Sequence, residues 1–294
     1  SRCALGPPLN ANVRGLIIDA MRIVMPLFEY ASTGVDSYVF KSFPFCIEPL
    51  RAEDIIETKL FSEQDIDHIR LESWCLVFTG DEVTKYVVNS NLLLMAFRIS
   101  EPCKAPFIKY RVCGEDLHHC RRLNDPMTHN YESGLIMKVY SLSNLEKIDT
   151  YLGRLIEMNT VSNRTKNALY FAFRGMSAAK WIDAFLMYMS AIESLFSKDK
   201  PGGATETIKT RVASLLNSAM GVTKEDVGAL YALRSNMVHG HIEINDDPHE
   251  NLRELAKIQR LLNSCLNIFL ERELYKHYAS KTKRDNFMGT LNGP

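Results

Sequence analysis

Long apolar runs are missing from this chain of 294 residues. The most apolar helical stretch, Ala184 to Phe196, is short and contains Glu193, which excludes a bilayer span. A basic, then apolar, then small-residue signal is missing from its start, so nothing marks it for secretion. The chain opens on Ser1 rather than Met, as a trimmed or internal fragment would. Glycine (15) and proline (11) are modest and no heptad runs on, which sets aside collagen-like, disordered and coiled-coil readings. The seven cysteines lack the spacing of a disulfide framework and read as reduced intracellular thiols, with the cytoplasm as the expected compartment. No internal repeat and no low-complexity segment is detected. What is there is ordinary for a globular protein: 46% hydrophobic residues, 24% charged, and length for one or two cores.

Net charge is zero, but the halves differ. Residues 160–294 carry 18 Lys/Arg against 14 Asp/Glu, so this half is +4 and the remainder −4. That weak asymmetry points any polyanion toward the C-terminal half. Residues 1–159 read as a mixed α+β domain with a largely antiparallel sheet, in a sensor or RNA-positioning role. Its strand candidates are Ser37 to Ile47, Arg70 to Thr79, Leu92 to Ile99, Pro106 to Cys113 and Leu135 to Leu142. Short helical patterns at Glu53 to Phe61 and Glu82 to Val88 lie between them, and Leu123 to Gly134 is rich in turn residues. A helical pattern from Asn144 to Asn159 leads into the second half.

Residues 160–294 read as an all-α helical bundle. Helices are expected at Asn163 to Gly175, Ala178 to Ser197, Thr205 to Asn217, Thr223 to about His239, and Asp246 to about His277. The second carries Trp181, Phe185, Tyr188, Met189, Ile192, Leu195 and Phe196 as one broad apolar stripe. Thr223 and Asp226 form a capping pair at the start of the fourth.

That fourth helix ends Leu230-Tyr231-Ala232-Leu233-Arg234-Ser235-Asn236-Met237-Val238-His239-Gly240. An Arg followed five residues later by a His is a poor signal alone. With 18 Arg and 8 His in the chain, chance supplies roughly half a match. Indeed Arg272 and His277 repeat the spacing, within a highly charged helical face that reads as solvated surface. Context favours Arg234 and His239. Gly240 stands where a left-handed cap is expected, which puts His239 in the last turn. There the negative end of the helix dipole favours imidazolium. A guanidinium can hold the non-bridging oxygens of a phosphodiester while an imidazole moves a proton. Residues five apart on a helix point about 140° apart, so convergence on one ligand requires a bent helix end or a second subunit.

The stretch LYALRSNMVHG resembles the Arg-x4-His signature of the HEPN superfamily, particularly its Apea-like group. AIESLFS at Ala191 to Ser197 resembles that group's upstream acidic marker, and TRVASLL at Thr210 to Leu216 sits where the family has a short helix. The similarity covers about residues 160–280 and says almost nothing of residues 1–150. It implies a dimerising helical bundle that often acts as a metal-independent endoribonuclease, with no cofactor and no metal at the site. Arg234 would bind the scissile phosphate, and His239 would be general acid or base in attack by the RNA 2′-hydroxyl. Products would carry 2′,3′-cyclic phosphate and 5′-hydroxyl ends. Ser235 and Asn236 match polar positions suited to phosphate, and Glu193 matches the acidic position that orients Arg234. His241 stands where a sister group of nucleotidyl-transfer-regulated toxins has Tyr, which argues against that variety.

Plainer readings stand beside these. Arg234 can be a structural partner of Glu193 across the bundle, His239 a helix cap and His241 an ordinary loop histidine. Cys103, Cys113, His118, His119 and Cys120 include enough thiol and imidazole groups for zinc, but no pair has finger spacing, and buried thiols with surface histidines are the preferred reading. Pro201-Gly202-Gly203 lacks the Lys-Ser/Thr ending of a phosphate-binding loop, and no nucleophile elbow or paired-acid motif is found. The expectation is therefore an RNA-cleaving protein, homodimeric through its bundle, with no membrane association. By family analogy alone, it would serve antiphage defence or growth arrest as a toxin released by a phage-derived or regulatory trigger. The alternative is a non-catalytic dimeric module that binds RNA, nucleotide or protein.

Overall fold

The structure is a computed structural model, and it describes residues 21–28, 30–51, 74–80, 83–100, 107–108, 110–113, 121–122, 139–178, 180–198, 204–241 and 248–292. The chain divides into two compact units. One comprises residues 1–97, 104–126 and 135–153; the other comprises 98–103, 127–134 and 154–294. An antiparallel sheet dominates the first and helices dominate the second.

Strands β1 (Met21–Phe28), β2 (Ala31–Ser32), β3 (Tyr38–Val39), β4 (Phe45–Pro49), β5 (Trp74–Gly80), β6 (Phe107–Ile108), β7 (Tyr110–Cys113), β8 (Arg121–Arg122) and β9 (Val139–Tyr140) follow in chain order. The main sheet runs β3-β4-β5-β1-β7-β8, with β6 also on β1, and every pairing in it is antiparallel. β1 is its centre, set in register with β5 by Ile23 opposite Phe78 and Met25 opposite Leu76. Residues 23–27 of β1 are all buried, so the strand shows no alternation. It also contains Pro26, which by itself argues against a sheet interior. Both features hide this strand from pattern reading. The short β2 and β9 pair in parallel as a separate ribbon.

Three expectations are corrected in this unit. Leu92 to Ile99 is not a strand: with Glu82 to Val88 it forms part of one helix, α1 (Val83–Ser100). Residues 92–100 are buried all round, and a helix segment buried on every side gives no period to separate it from a buried strand. Leu, Met and Ala there are strong helix formers, which decides the outcome. Ser37 to Ile47 is broken into β3 and β4 by a bend at residues 41–44. Of Leu135 to Leu142, the described residues give β9 at Val139–Tyr140, and α2 (Leu142–Val161) begins at Leu142, so the strand expected to reach Leu142 stops short. Trp74–Gly80 and Phe107–Cys113 answer the other strand expectations in outline. Glu53 to Phe61 and Leu123 to Gly134 lie outside the described residues.

The bend between β3 and β4 is tied to α2 by a single carboxylate. Asp149, only 4% exposed, accepts from the Lys41 amide at 2.8 Å, the Ser42 amide at 3.0 Å and the Tyr38 hydroxyl at 3.2 Å. Ser42 Oγ returns a bond of 2.8 Å to the Asp149 carbonyl. In the same unit, Tyr30 stacks on Tyr140 at 5.3 Å, and Phe97 meets Tyr140 edge-on at 5.0 Å.

The second unit contains α3 (Asn163–Met176), α4 (Trp181–Phe196), α5 (Ala204–Met220), α6 (Lys224–Val238), α7 (Pro248–Glu271), a 3-10 turn (Leu274–Ala279) and α8 (Lys281–Thr290). α4 is the centre: Trp181, Phe185, Tyr188, Met189, Ile192, Leu195 and Phe196 are all buried, as the apolar stripe requires. Burying each side chain of this size contributes about 1.5–3 kcal/mol. α3 lies close on α4 because Gly175 faces Tyr188; a Cβ there would stand 2.5 Å from the ring. Ser162 and Thr165 close a capping box at the start of α3.

The C-terminal end of α4 is buried at Leu195 and Phe196, so its last carbonyls need donors from elsewhere. Arg164 donates to the carbonyls of Ser194 (3.2 Å) and Ser197 (3.3 Å), Tyr278 Oη to that of Leu195 (2.6 Å), and Arg211 to that of Phe196 (2.7 Å). The helix expected to reach His277 instead stops at Glu271. Glu273 adopts a left-handed φ of 51°, and the 3-10 turn that follows is what presents Tyr278 to Leu195. His277 is exposed and stacks on Phe287 at 4.9 Å, consistent with Arg272 and His277 as surface rather than site. Cys46, Cys75 and Cys265 are buried thiols.

Asp149→Ala removes the acceptor of three donors at once and leaves two amides and a hydroxyl unsatisfied. A loss of about 2–3 kcal/mol is expected in urea unfolding, and an unchanged midpoint would contradict this role.

Candidate functional site

The motif helix α6 opens as its sequence requires. Thr223 Oγ1 accepts from the Asp226 amide at 3.2 Å and the Asp226 carboxylate accepts from the Thr223 amide at 2.9 Å. The Thr223 amide, and then the Thr223 hydroxyl at 2.9 Å, donate to the Asp226 carboxylate and hold its carboxyl below the usual carboxylate range. At the far end the helix closes in a Schellman motif. The His241 amide donates to the Asn236 carbonyl at 2.8 Å, and the Gly240 amide donates to the Met237 carbonyl at 3.3 Å. Gly240 takes φ +71°, the left-handed conformation that glycine adopts without steric cost. His239 is the cap residue itself, with φ −91° and ψ 3°.

This closure decides what each motif side chain meets. Ser235, Asn236, His239 and His241 are exposed, while Met237 is buried among the helices. Arg234 is half-buried and reaches Glu193 on α4, with Nη1 3.3 Å from Oε1. The two side chains are 37% and 29% exposed, so this is neither a dry core pair nor a free surface pair. At such exposure the pair adds less than about 1 kcal/mol to stability, and orienting the guanidinium is the larger effect. His239 and His241 have ring centres 6.1 Å apart. Arg234 and His239 share no hydrogen bond among the described residues, as expected for side chains about 140° apart on one helix.

Beside the ion pair runs a groove of about 410 Å³, lined by Phe171, Ser190, Glu193, Ser194, Thr205 and Tyr231 among others. Ser190 and Ser194 turn their hydroxyls back onto carbonyls one turn earlier, at 2.9 and 2.8 Å, which leaves oxygen lone pairs as acceptors along the wall. Tyr231 is buried, and its hydroxyl has no hydrogen-bond partner of good geometry. Burial, and then the nearby Glu193 carboxylate, raise its pKa far above the ordinary phenol value. Tyr231 was not singled out by sequence, yet the signal was present: it stands three residues before Arg234, the spacing that puts two side chains on one helix face.

Of the residues expected to act together, the structure joins Glu193 to Arg234 and brings His239 near His241. It does not join the arginine to the histidine within one chain. Cys103, His118, His119 and Cys120 lie outside the described residues, and Cys113 ends β7. Among the described residues, no three His, Cys, Asp or Glu side chains gather as metal ligands. Among them too, no helix is long and apolar enough to cross a membrane.

Gly240→Ala meets no atom within 4 Å, so its cost is the left-handed backbone alone. A loss of about 1 kcal/mol is expected in thermal unfolding, with fraying at residues 237–241 seen by amide exchange. For Asp226 the folded pKa is depressed, so its contribution is complete above the unfolded value near 3.8 and is lost as pH falls through the folded value. Asp226→Asn is expected to flatten the acid limb of the stability curve below about pH 4, measured by circular dichroism. No known family model, curated protein or solved structure matches the chain.

Proposed function

We propose that the C-terminal unit is a metal-independent endoribonuclease, working as a homodimer through its helical bundle. The observation that carries the reading is the end of α6: an exposed His239 on a rigid Schellman stop, one turn beyond an Arg234 oriented by Glu193. Arg234 has five donors in a planar fork and suits the non-bridging oxygens of a phosphodiester. Attack by a 2′-hydroxyl on the adjacent phosphorus releases the 5′-oxygen and forms a 2′,3′-cyclic phosphate. One group must take the 2′ proton and another must give a proton to the leaving oxygen. One chain supplies a single motif histidine, and Arg234 and His239 are splayed along one helix. A two-fold pair would supply two histidines and set the arginine of one copy beside the histidine of the other. Val238, 60% exposed next to His239, offers apolar contact for that pairing. Exposed Ser235 and Asn236 add hydrogen-bonding capacity toward phosphate, and His241 is a loop neighbour of His239. In this reading the N-terminal unit senses a trigger or positions RNA, and the setting is growth arrest or antiphage defence.

A second reading has one observation in its favour. The Arg234 guanidinium already faces a carboxylate, as in a structural pair, and a bundle so arranged would bind RNA, nucleotide or protein without cutting it.

The test incubates purified protein with total RNA and with tRNA in EDTA, beside Arg234→Ala and His239→Ala. Fragments with cyclic-phosphate ends are expected from the wild type, with rates down about 10²–10⁴-fold in each variant. Cleavage persisting in both folded variants overturns the site assignment. RNA retained intact by the wild type but released by Arg234→Ala favours the binding module.

A further inference from the structure

Helix α3 carries no Asp or Glu. Its inner face is set by Thr165, Ala168, Leu169, Ala172, Gly175 and Met176, all of them buried. Helical spacing then turns Asn163, Lys166, Asn167, Tyr170 and Arg174 outward, and all five are exposed. Lys166, Tyr170 and Arg174 follow at four-residue intervals, so they line one side of the helix over about 12 Å. The third cation of α3 is used elsewhere. Arg164 is half-buried, lines a smaller concavity of about 210 Å³ together with Lys281 and Arg284, and donates to the carbonyls that end α4. Lys166 and Arg174 have no such role: among the described residues neither is joined to a carboxylate.

An exposed aromatic ring by itself is ordinary surface. Tyr170, 58% exposed, differs in its neighbours, with a cation one turn away on each side and a second ring beside it. That ring is Phe171, edge-on at 5.5 Å and half-buried. Phe171 also lines the groove of about 410 Å³ that contains Glu193, the partner of Arg234. The line of cations and rings therefore borders the groove beside the motif arginine. Cations and rings in alternation complement a chain that alternates phosphates with flat bases, since every base has a face that stacks. An acidic peptide would use the cations but leave the rings unmatched. A duplex keeps its base faces in its own stack, so exposed rings select a single strand.

We infer that the outward face of α3 binds single-stranded RNA, with Lys166 and Arg174 meeting phosphates and Tyr170 and Phe171 stacking bases at the edge of the Arg234 groove. The choice of RNA rests on the proposed cleavage at Arg234 and His239, but the binding surface uses neither residue.

The full chain is titrated, in EDTA, with a short labelled 2′-O-methyl RNA of mixed sequence and with the same strand annealed to its complement, read by fluorescence anisotropy. This probe lacks the attacking hydroxyl, so binding is measured whether or not the protein cleaves RNA. The single strand is expected to bind more tightly than the duplex. Tyr170→Ala, at an exposed ring, is expected to weaken it at least about fivefold with the fold intact by circular dichroism. Lys166→Gln combined with Arg174→Gln is expected to lower the slope of log affinity against log salt by about 1.4, about 0.7 for each phosphate contact. No binding of the single strand, tighter binding of the duplex, or unchanged affinity and salt slope in the folded variants overturns the inference. So does displacement of the probe by polyglutamate of equal charge as readily as by unlabelled RNA, since charge alone would then explain binding. Intact binding without cleavage of ordinary RNA counts against the proposed nuclease alone, and cleavage with binding unmoved by the variants counts against this surface alone.

Discussion

The C-terminal unit depends on how the buried end of α4 is satisfied. Leu195 and Phe196 drive that end into the core, where its last carbonyls have no helical partners. Arg164 from the start of α3, Arg211 from α5 and Tyr278 from the 3-10 turn each reach in to meet them. Three separate elements are thereby fastened to one helix end. The chain can bury so much apolar surface around α4 only because these long polar side chains accompany it, since an unmet carbonyl there would cost about 1–3 kcal/mol.

Both concavities of the unit follow from this arrangement. Glu193 is on the last turn of the same helix, so the bonds that hold that end also hold the carboxylate that orients Arg234. The groove beside it runs along the polar edge of α4, where Ser190 and Ser194 have turned their hydroxyls onto the helix itself. The second concavity lies at the starts of α3 and α8, and Arg164 both lines it and caps the end of α4.

The motif itself obeys a different constraint. A helix ended by glycine holds its last side chains at fixed angles, and those angles separate Arg234 from His239. Among the described residues, His239, Val238 and His241 are all exposed at this helix end. In the proposed cleaving role a second copy would complete the site, whereas the binding role has no such requirement. The two functional readings therefore differ in assembly as much as in chemistry.

The sequence by itself determined the elements whose signals are local. The α4 stripe, the Thr223 and Asp226 cap, and the Gly240 stop were legible because side-chain period, capping and left-handed φ each act within a turn or two. The pairing of Glu193 with Arg234 was legible through family resemblance rather than spacing, since 41 positions in sequence carry no geometric information. Elements buried on every side were not legible. β1 is buried throughout residues 23–27 and contains Pro26, and α1 is buried throughout residues 92–100, so neither shows the alternation that pattern reading uses. The tertiary structure alone decided that Asp149 holds the bend at Lys41 and Ser42, that Tyr231 faces Glu193 with its hydroxyl unmet, and that Arg164, Lys281 and Arg284 share one concavity. Each joins residues far apart in the chain through burial and donor–acceptor complementarity, which exist only once the elements have packed.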